Sequence, residues 1–352
     1  MKLIIPLAAF IFFLSISCRG TATDSQAAEK VKNGVYYWKT VFNLDSTDLA
    51  FMQQHNIGRI YLRMFDVVEN RSYPDKPEKT IPNATVRISD PQYQLLQDSL
   101  SDVEFIPTVY ITLEAMKAVK DEEGVLASNI VKRIRNMCQY NKLPNVGELQ
   151  LDCDWTQSTE QSFFRLCDSV RYFIAQENLP WQLSSTIRLH QLSGKNPPVD
   201  KGVLMVYNTG DYFDQDTRNS IIDPAEVEPY ISRLSDYTIP LDVAYPTYSW
   251  QLLFSDREFA GLTQGINLAD TSMFSRNNNL YAVKETFTHN DRYIYRGDII
   301  KAEDSDIKDI LATKKMIEQH LKSHTHSNIL YHLDFKNLSK YSSDEIDAIL
   351  AN

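Results

Sequence analysis

The chain alternates strand-like and helix-like segments, and this alternation restricts its fold more than any other feature. Short apolar runs rich in β-branched and aromatic residues recur along most of the sequence, and amphipathic helical patterns follow several of them. Because a helix after a strand returns the chain to begin a parallel strand, the pattern predicts parallel β/α units. The predicted strands are 35–42, 58–67, 104–112, 148–156, 181–191, 203–208, 241–248 and 329–335. The predicted helices include 46–55, 91–101, 126–140, 159–178, 225–236 and 343–350.

Eight such units predict an α/β fold, the closed (β/α)8 TIM barrel. The main alternative is an open, doubly wound sheet, but the segment from Lys39 to Phe42, which leads out of the first strand, has no glycine-rich phosphate loop. Two long segments interrupt the alternation, residues 69–89 and residues 251–326. Both are expected to rise over the C-terminal face, the second as an insertion between the seventh and eighth strands. Residues 33–352 are thus predicted to form one TIM-barrel domain.

The first residues predict export from the cytoplasm. A lysine at position 2 precedes an almost unbroken apolar run over residues 3–16, and Ser15-Ile16-Ser17 leads into Cys18. This is the layout of a cleaved signal peptide, and the run is shorter than the roughly 20 apolar residues of a membrane-spanning helix. Residues 1–17 are therefore predicted to be removed.

The junction at Cys18 resembles the lipobox of bacterial lipoproteins. The resemblance implies that Cys18 is the lipid-anchored first residue of the mature protein, and the small, polar residues 18–32 are expected to form a tether. An ordinary secretory signal would instead release the same domain as a soluble protein. The expected location is the bacterial cell envelope, at a membrane, with the periplasmic or surface side of the outer membrane favoured.

The net charge and the cysteines of the chain argue against several classes of ligand. The formal charge of −10, without a basic cluster, argues against binding to nucleic acid or to anionic membrane surfaces through charge. Cys138, Cys153 and Cys167 are not spaced like a zinc site, so buried thiols are expected, with a Cys153–Cys167 disulfide as the less favoured alternative. The His324-Thr325-His326 segment has no carboxylate at ligand spacing. No metal and no cofactor are therefore expected.

The fourth and fifth strands predict a polar barrel interior. In residues 148–156 every even position is polar, and alternate residues of a barrel strand face inward. The side chains expected to face inward from these two strands are Gln150, Asp152, Asp154, Thr156, Gln182, Ser184, Thr186, Arg188 and His190. Barrel interiors usually hold branched apolar residues, so these charges predict a ligand pocket. The alternative is a self-contained ion network in which Arg188 neutralises Asp152 or Asp154.

Other strands predict an aromatic and acidic mouth. The seventh strand ends in Tyr245-Pro246-Thr247-Tyr248-Ser249-Trp250, and His332 and Asp334 share one face of the last strand. On the second strand Arg63 and Asp66 have opposite parity, so only one faces the lumen unless the strand bulges, and Asp66 is favoured. Aromatic rings with polar edges suit the alternating CH face and hydroxyl rim of a sugar. The predicted ligand is a glycan.

These segments resemble family 18 glycoside hydrolases, the chitinase-like barrels. Asp152-Cys153-Asp154-Trp155-Thr156 is similar to the family's Asp-x-Asp-x-Glu, and Leu204-Met205-Val206-Tyr207-Asn208 looks like its Met-x-Tyr-Asp/Asn. Pro246-Thr247-Tyr248 resembles the family's Pro-x-Tyr, and the insertion lies where many chitinases have an extra subdomain. The chain also resembles bacterial lipoproteins with a glycosidase-like TIM barrel and no assigned reaction.

The resemblance implies a function and also marks a departure from the family. In the family the Glu protonates the leaving oxygen while the substrate's N-acetyl group attacks the anomeric carbon. Here Thr156 takes the place of that Glu, and Leu149 takes the place of the first Asp. If Asp154 and Tyr207 keep the family roles, they hold an N-acetyl group.

Two functional hypotheses follow, and a third possibility is that the polar lumen has only a structural role. One is a glycoside hydrolase whose general acid comes from another strand, with Asp334 or Asp66 as candidates. The other is a carbohydrate-binding lipoprotein without catalysis. The candidate catalytic residues are Asp152, Asp154 and Asp334, and the candidate ligand-binding residues are Asp66, Arg188, His190, Tyr207, Asn208, Tyr245, Tyr248 and Trp250.

Overall fold

The computed structural model describes residues 32–72, 78–322 and 325–351. Within them, eight parallel strands pair in chain order, and the first also pairs with the eighth, which closes a barrel. The (β/α)8 prediction is confirmed. The barrel strands are Asn33–Tyr37, Ile57–Glu69, Glu104–Ile111, Glu148–Cys153, Gln182–Arg188, Lys201–Met205, Leu241–Pro246 and Asn328–Tyr331.

Helices surround the barrel on its outer side. The α-helices are Ser46–Gln54, Asp90–Asp98, Leu113–Ala118, Glu123–Asn141, Glu160–Gln176, Pro224–Ile231, Ile307–Glu318, Phe335–Leu338 and Ser343–Leu350. Between the fifth and sixth barrel strands the described chain has only a 3₁₀ turn, Leu189–Ser193. Gly194 and the pair Pro197-Pro198 follow that turn, and these residues do not continue a helix.

The second barrel strand is irregular at the height of the barrel mouth. Its pairing with the third strand shifts register between Arg63 and Phe65, so the strand contains a β-bulge. It continues to Glu69, where it pairs antiparallel with Thr80–Asn83. A two-stranded parallel pair, Val41–Phe42 with Arg87–Ile88, lies in the neighbouring loops. The bulge changes which side chains reach the interior.

Apolar residues pack in two layers around the barrel wall. The larger core lies between strands and helices and includes Leu149, Leu151, Phe163 and Val170, all fully buried. A smaller cluster fills the lumen with Tyr36, Tyr61, Ile106, Val203, Met205, Ala244 and Ile329. In the fourth strand the outward Leu149 and Leu151 and the inward Gln150 and Asp152 follow the predicted alternation. Cys138, Cys153 and Cys167 are buried free thiols, as the favoured prediction had it.

The predicted insertion contains a small domain of β structure. A five-stranded antiparallel sheet is formed by Ser249–Ser255, Glu258–Thr263, Phe274–Asn277, Leu280–Val283 and Ile299–Asp304. A hairpin of Phe287–His289 and Arg292–Ile294 accompanies it. Leu253, Phe274, Ile294 and Ile300 form a separate apolar core for this part. Helix Ile307–Glu318 then packs against Pro224–Ile231 and Ser343–Leu350, in the ring of barrel helices.

The predicted signal peptide, Cys18 and the tether up to residue 31 lie outside the described residues. Among the residues that the structure describes, no helix is both long enough and apolar enough to cross a membrane.

Candidate functional site

A cavity of about 480 Å³ opens at the C-terminal ends of the barrel strands. This is the end at which (β/α)8 enzymes place their sites. Aromatic and charged side chains line it together: Trp38, Arg63, Tyr110, Asp152, Asp154, Arg188, His190, Tyr207, Tyr230 and Tyr331. The wall therefore combines flat apolar rings with hydrogen-bonding groups of both signs.

Asp152 and Arg188 form the deepest charged pair of the cavity. The Asp152 carboxylate accepts hydrogen bonds from the Thr186 hydroxyl at 2.6 Å and from Arg188 Nη2 at 3.1 Å. Burial by itself would lower the pKa of Arg188, but the neighbouring Tyr207 and Asp152 raise it, so the guanidinium stays charged. Arg188 Nη1 is buried and has no hydrogen-bond partner among the described residues. The residue as a whole lines the cavity, so the site has a positive charge in its wall.

Asp154 lies nearer the solvent than Asp152. About half of its side chain is exposed, and its carboxylate is 3.4 Å from His190 Nε2. The fifth strand ends at Arg188, so His190 belongs to the 3₁₀ turn rather than to the strand. Both side chains still line the cavity, as predicted. Half-exposed groups keep hydrogen-bonding capacity for a ligand.

Thr156 departs from the predicted inward position. The fourth strand ends at Cys153, and Thr156 is exposed, with its hydroxyl 2.9 Å from the Ser158 hydroxyl. It is not among the described residues that line the cavity. The alternation of inward and outward residues ends with the strand, which is why the prediction fails here. The residue in place of the family's Glu is therefore neither an acid nor part of the wall.

Aromatic rings in tilted and edge-on contact form part of the cavity wall. The Tyr207 and Tyr331 ring centroids are 4.6 Å apart, and Trp38 lies 5.8 Å from Tyr331 and 6.5 Å from Tyr110. The Arg188 guanidinium lies 5.5 Å from the Tyr207 ring centroid. Burial raises the pKa of Tyr207 to about 12, so its hydroxyl stays protonated at neutral pH.

A second cavity of about 770 Å³ adjoins the first and extends toward the insertion. The two share Trp38, Tyr207, Asn208 and Tyr331 in their walls, so together they form one cleft. The second part is lined by residues of the seventh and eighth strands and of the insertion sheet, including Tyr248, Trp250, Gln264, Glu303, His332 and Asp334.

Hydrogen bonds hold the aromatic residues of the second cavity in place. The Tyr248 hydroxyl donates to Asn208 Oδ1 at 2.7 Å. The Trp250 indole donates to Glu303 Oε2 at 2.7 Å, and Glu303 in turn is paired with Lys301, whose ammonium lies 2.8 Å from Oε1. The Glu303 and Lys301 side chains are almost fully buried. These fixed partners orient the ring of Trp250 toward the cleft.

Arg63, not Asp66, is the second-strand residue in the cavity wall. The bulge after Arg63 places both residues on the inner side, which resolves the parity conflict. Asp66 is buried and accepts two hydrogen bonds from Arg63, one of them at 2.7 Å from Nε. The predicted contact of Asp66 with the ligand is therefore replaced by a supporting role under Arg63.

Tyr245 and Asp334 also need correction. Tyr245 is fully buried in the core between strands and helices, because odd positions of the seventh strand point outward, and it does not reach the cleft. The eighth strand ends at Tyr331, whose ring faces the lumen, and Asp334 caps the short helix that follows. Asp334 lines only the second cavity and lies 3.6 Å from Lys39. It does not share the first cavity with Asp154.

Four aromatic residues of the wall were not predicted from the sequence: Trp38, Tyr110, Tyr230 and Tyr331. Tyr110 lies near the end of strand three, where the alternation could have identified it as inward, and Trp38 directly follows strand one. Tyr230 comes from a helix, and no strand pattern indicates it. Among the described residues, no group of three or more His, Cys, Asp or Glu side chains is placed to hold a metal ion.

The barrel, its insertion and the cleft at the strand ends define a protein with the fold of the family 18 glycoside hydrolases. The structure is similar to an N-acetylglucosaminidase of that family from Paenibacillus barengoltzii, with a TM-score of 0.53 and 11% identity over 91% of this chain and 100% of the other. It is similar to a chitinase from Chromobacterium violaceum, with a TM-score of 0.52 and 10% identity over 92% and 99% of the two chains.

A spore cortex-lytic enzyme from Bacillus cereus is a third similar structure, with a TM-score of 0.51 and 10% identity over 91% of this chain and 74% of the enzyme. No protein-family model matches the sequence, and no curated protein matches it. At these identities the similarity shows a shared fold, and the reaction has to be argued from the site.

Proposed function

We propose that the protein binds a glycan containing N-acetylhexosamine in the cleft at the barrel mouth. The observation that carries the proposal is a cavity wall that combines clustered aromatic rings with the half-exposed Asp154 and the guanidinium of Arg188. Rings contact the CH faces of sugars, and the polar groups select their substituents. An acetamido group offers both an N–H for Asp154 and a carbonyl oxygen for a donor.

The names of the similar structures support the choice of sugar. One is an N-acetylglucosaminidase and another is a chitinase. The position of Thr156 supports binding over the family's form of catalysis, since a threonine hydroxyl donates no proton near neutral pH. In this proposal the chain keeps the recognition of the glycan without the acid that the family uses.

Hydrolysis is the second candidate, and one observation favours it. Asp154 and His190 form a pair of titratable groups, 3.4 Å apart, in the first cavity. Such a pair can exchange protons with a bound glycosidic oxygen if the glycan lies across it. The two-carboxylate mechanism is less well supported, because Asp334 lines the other cavity and Asp66 is engaged by Arg63.

We also propose that Cys18 carries a lipid that holds the protein on a membrane of the bacterial cell envelope. The apolar run, the small residues before Cys18 and the polar tether after it support this. Labelling of the protein with a radioactive fatty acid in cells, lost on Cys18→Ser, is the expected result. Equal labelling of the Cys18→Ser variant would contradict it.

Calorimetric titration of the full-length protein in detergent with N-acetylglucosamine oligosaccharides tests the binding proposal. We expect saturable binding that is weaker by tenfold or more for oligosaccharides without acetyl groups, because the donor and acceptor then lose their partners. Asp154→Asn should weaken binding of the acetylated form, and Asp168→Asn on the outer helix Glu160–Gln176 is the matched control. No binding by the folded native protein would contradict the proposal.

Mass spectrometry of the same mixtures separates the two candidates. Intact oligosaccharides after long incubation support binding alone. Shorter products that disappear in both the Asp154→Asn and the His190→Gln variants would instead establish hydrolysis through that pair.

A further inference from the structure

Two exposed tyrosines lie on the hairpin of the insertion, outside the cleft. Tyr293 is 64% exposed and Tyr295 is 57% exposed. Their ring centroids are 6.3 Å apart and the ring planes differ by only 19°. The two rings together form an exposed aromatic surface on the insertion.

The hairpin presents these rings from a fixed backbone. Residues of a strand alternate in direction, so within Arg292–Ile294 the side chain of Tyr293 points away from those of Arg292 and Ile294. Tyr295 directly follows the strand, and its ring lies beside that of Tyr293. Ile294 is fully buried in the insertion core, and Arg292 donates a hydrogen bond to the Ala260 carbonyl. The backbone N–H of Tyr295 donates to Asp298 Oδ2 at 2.8 Å. The rings therefore need little reordering to receive a ligand.

The same hairpin touches the rim of the cleft. A ring nitrogen of His289 is 2.7 Å from the carbonyl oxygen of Gln264. Gln264 and Gly265 line the second cavity. The tyrosine pair is thus carried by an element that adjoins the cleft, on the side where the cleft opens toward the insertion.

We infer that Tyr293 and Tyr295 form a second glycan-binding surface, the tyrosine platform, which holds an outer stretch of a polymeric glycan. The inference rests on the proposed function, because the occupant is a longer form of the glycan bound in the cleft. The nearly parallel rings offer adjacent apolar faces, which suits consecutive sugar residues of an extended chain. The platform adds affinity for polymers through a second point of attachment, without changing the affinity for short oligosaccharides.

The test compares two ligands on the full-length protein in detergent: a short N-acetylglucosamine oligosaccharide, by calorimetry, and an insoluble N-acetylglucosamine polymer, by sedimentation. The Tyr293→Ala/Tyr295→Ala variant should bind the polymer at least about fivefold more weakly and the oligosaccharide as the native protein does. The matched control is Tyr140→Ala/Tyr172→Ala, which removes two equally exposed tyrosines from barrel helices. Trp250→Ala, in the cleft, should weaken both.

Each other outcome overturns a defined part of the account. A native protein that binds neither ligand overturns the proposed function and this inference with it. Binding of both ligands by the native protein, with normal polymer binding by the platform variant, overturns this inference alone. A dimer of the native protein in light scattering that the platform variant loses would assign the rings to a second copy of the chain instead.

Discussion

An arginine stands at each end of the barrel lumen, Arg59 at the N-terminal end and Arg188 at the C-terminal mouth. Each of the three guanidinium nitrogens of Arg59 faces a carboxylate: Nε is 3.0 Å from Glu104, Nη2 is 2.8 Å from Glu148, and Nη1 is 3.1 Å from Asp242. Arg188 faces one carboxylate, Asp152, and keeps one nitrogen without a partner among the described residues.

The two arginines also have different surroundings. At the N-terminal end Lys201 adds a second cation, 2.8 Å from Glu148, so two cations share three carboxylates and each nitrogen of Arg59 has a partner. At the mouth the guanidinium lines a cavity of about 480 Å³. An ion network at the closed end of a barrel stabilises the fold, while a similar one beside an open cavity can serve a ligand. Among the described residues, the N-terminal network leaves an acceptor, Glu148 Oε1, without a hydrogen-bond partner, whereas the network at the mouth leaves a donor, Arg188 Nη1, without one.

The largest expected effect breaks the closed network. Arg59→Met leaves Glu148 and Asp242 buried without their main counterion, so we expect the free energy of unfolding to fall by about 3–5 kcal/mol. Urea titration followed by circular dichroism measures it. Arg71→Met, which removes an exposed pair with Glu69, should change stability by less than about 0.5 kcal/mol. A loss below about 1 kcal/mol for Arg59→Met would contradict a stabilising role of the ion network around Arg59.

Arg188→Met tests the role of the arginine at the C-terminal mouth. Only one carboxylate, Asp152, loses its ion pair here, against three around Arg59, and it keeps the Thr186 hydroxyl, so we expect a smaller loss of stability, about 1–3 kcal/mol. The affinity for the N-acetylglucosamine oligosaccharide should fall by roughly tenfold or more, since a charged donor leaves the cavity. Calorimetry on the folded variant measures this. An unchanged affinity would place Arg188 with Arg59 as a purely structural residue.

Trp250→Ala tests the aromatic part of the mouth. We expect an affinity loss of about threefold to tenfold, because one ring no longer contacts the sugar. The matched control, Tyr172→Ala, removes an exposed ring from the outer helix Glu160–Gln176 and should leave the affinity unchanged. Equal losses of affinity in both variants would show that the effect does not come from contact between the sugar and the Trp250 ring.

The smallest expected effect concerns pH. Burial lowers the pKa of His332, whose Nδ1 has no hydrogen-bond partner among the described residues. The unfolded chain therefore binds this proton first, and stability falls as the pH drops below about 6.5, the ordinary histidine value. Between pH 7.5 and 5.5 the native protein should lose more stability than His332→Gln, measured by urea titration. An equal loss in the native protein and in His332→Gln would contradict the prediction that the His332 imidazole stays neutral in the folded state.

The sequence predicted the barrel because eight apolar runs alternate with helical patterns, and this depends only on local periodicity. It also placed Asp152, Asp154 and Arg188 at one mouth through strand parity and strand order, and it indicated Tyr207 through the resemblance of its segment to the family's Met-x-Tyr-Asp/Asn. Parity was less reliable past the ends of the strands and at a bulge. Thr156 lies past the end of its strand, and the bulge after Arg63 reversed the expected choice between Arg63 and Asp66.

The closed and open networks could not be told apart from the sequence. Glu148 and Asp152 have the same parity on one strand, yet one belongs to the N-terminal network and the other to the mouth. Only the positions of partners from distant strands, such as Asp242 and Lys201, decide which charge is fully neutralised. The full set of aromatic residues in the cavity wall could not be predicted from the sequence either, because Tyr230 reaches the cavity from a helix.

The most direct test is a crystal structure of the protein with an N-acetylglucosamine oligosaccharide. The account predicts sugar rings stacked on the aromatic residues of the mouth, with an acetamido group within hydrogen-bonding distance of Asp154 and the Arg59 network unchanged. A sugar bound away from the mouth, with the cleft unoccupied at saturating oligosaccharide, would contradict the account.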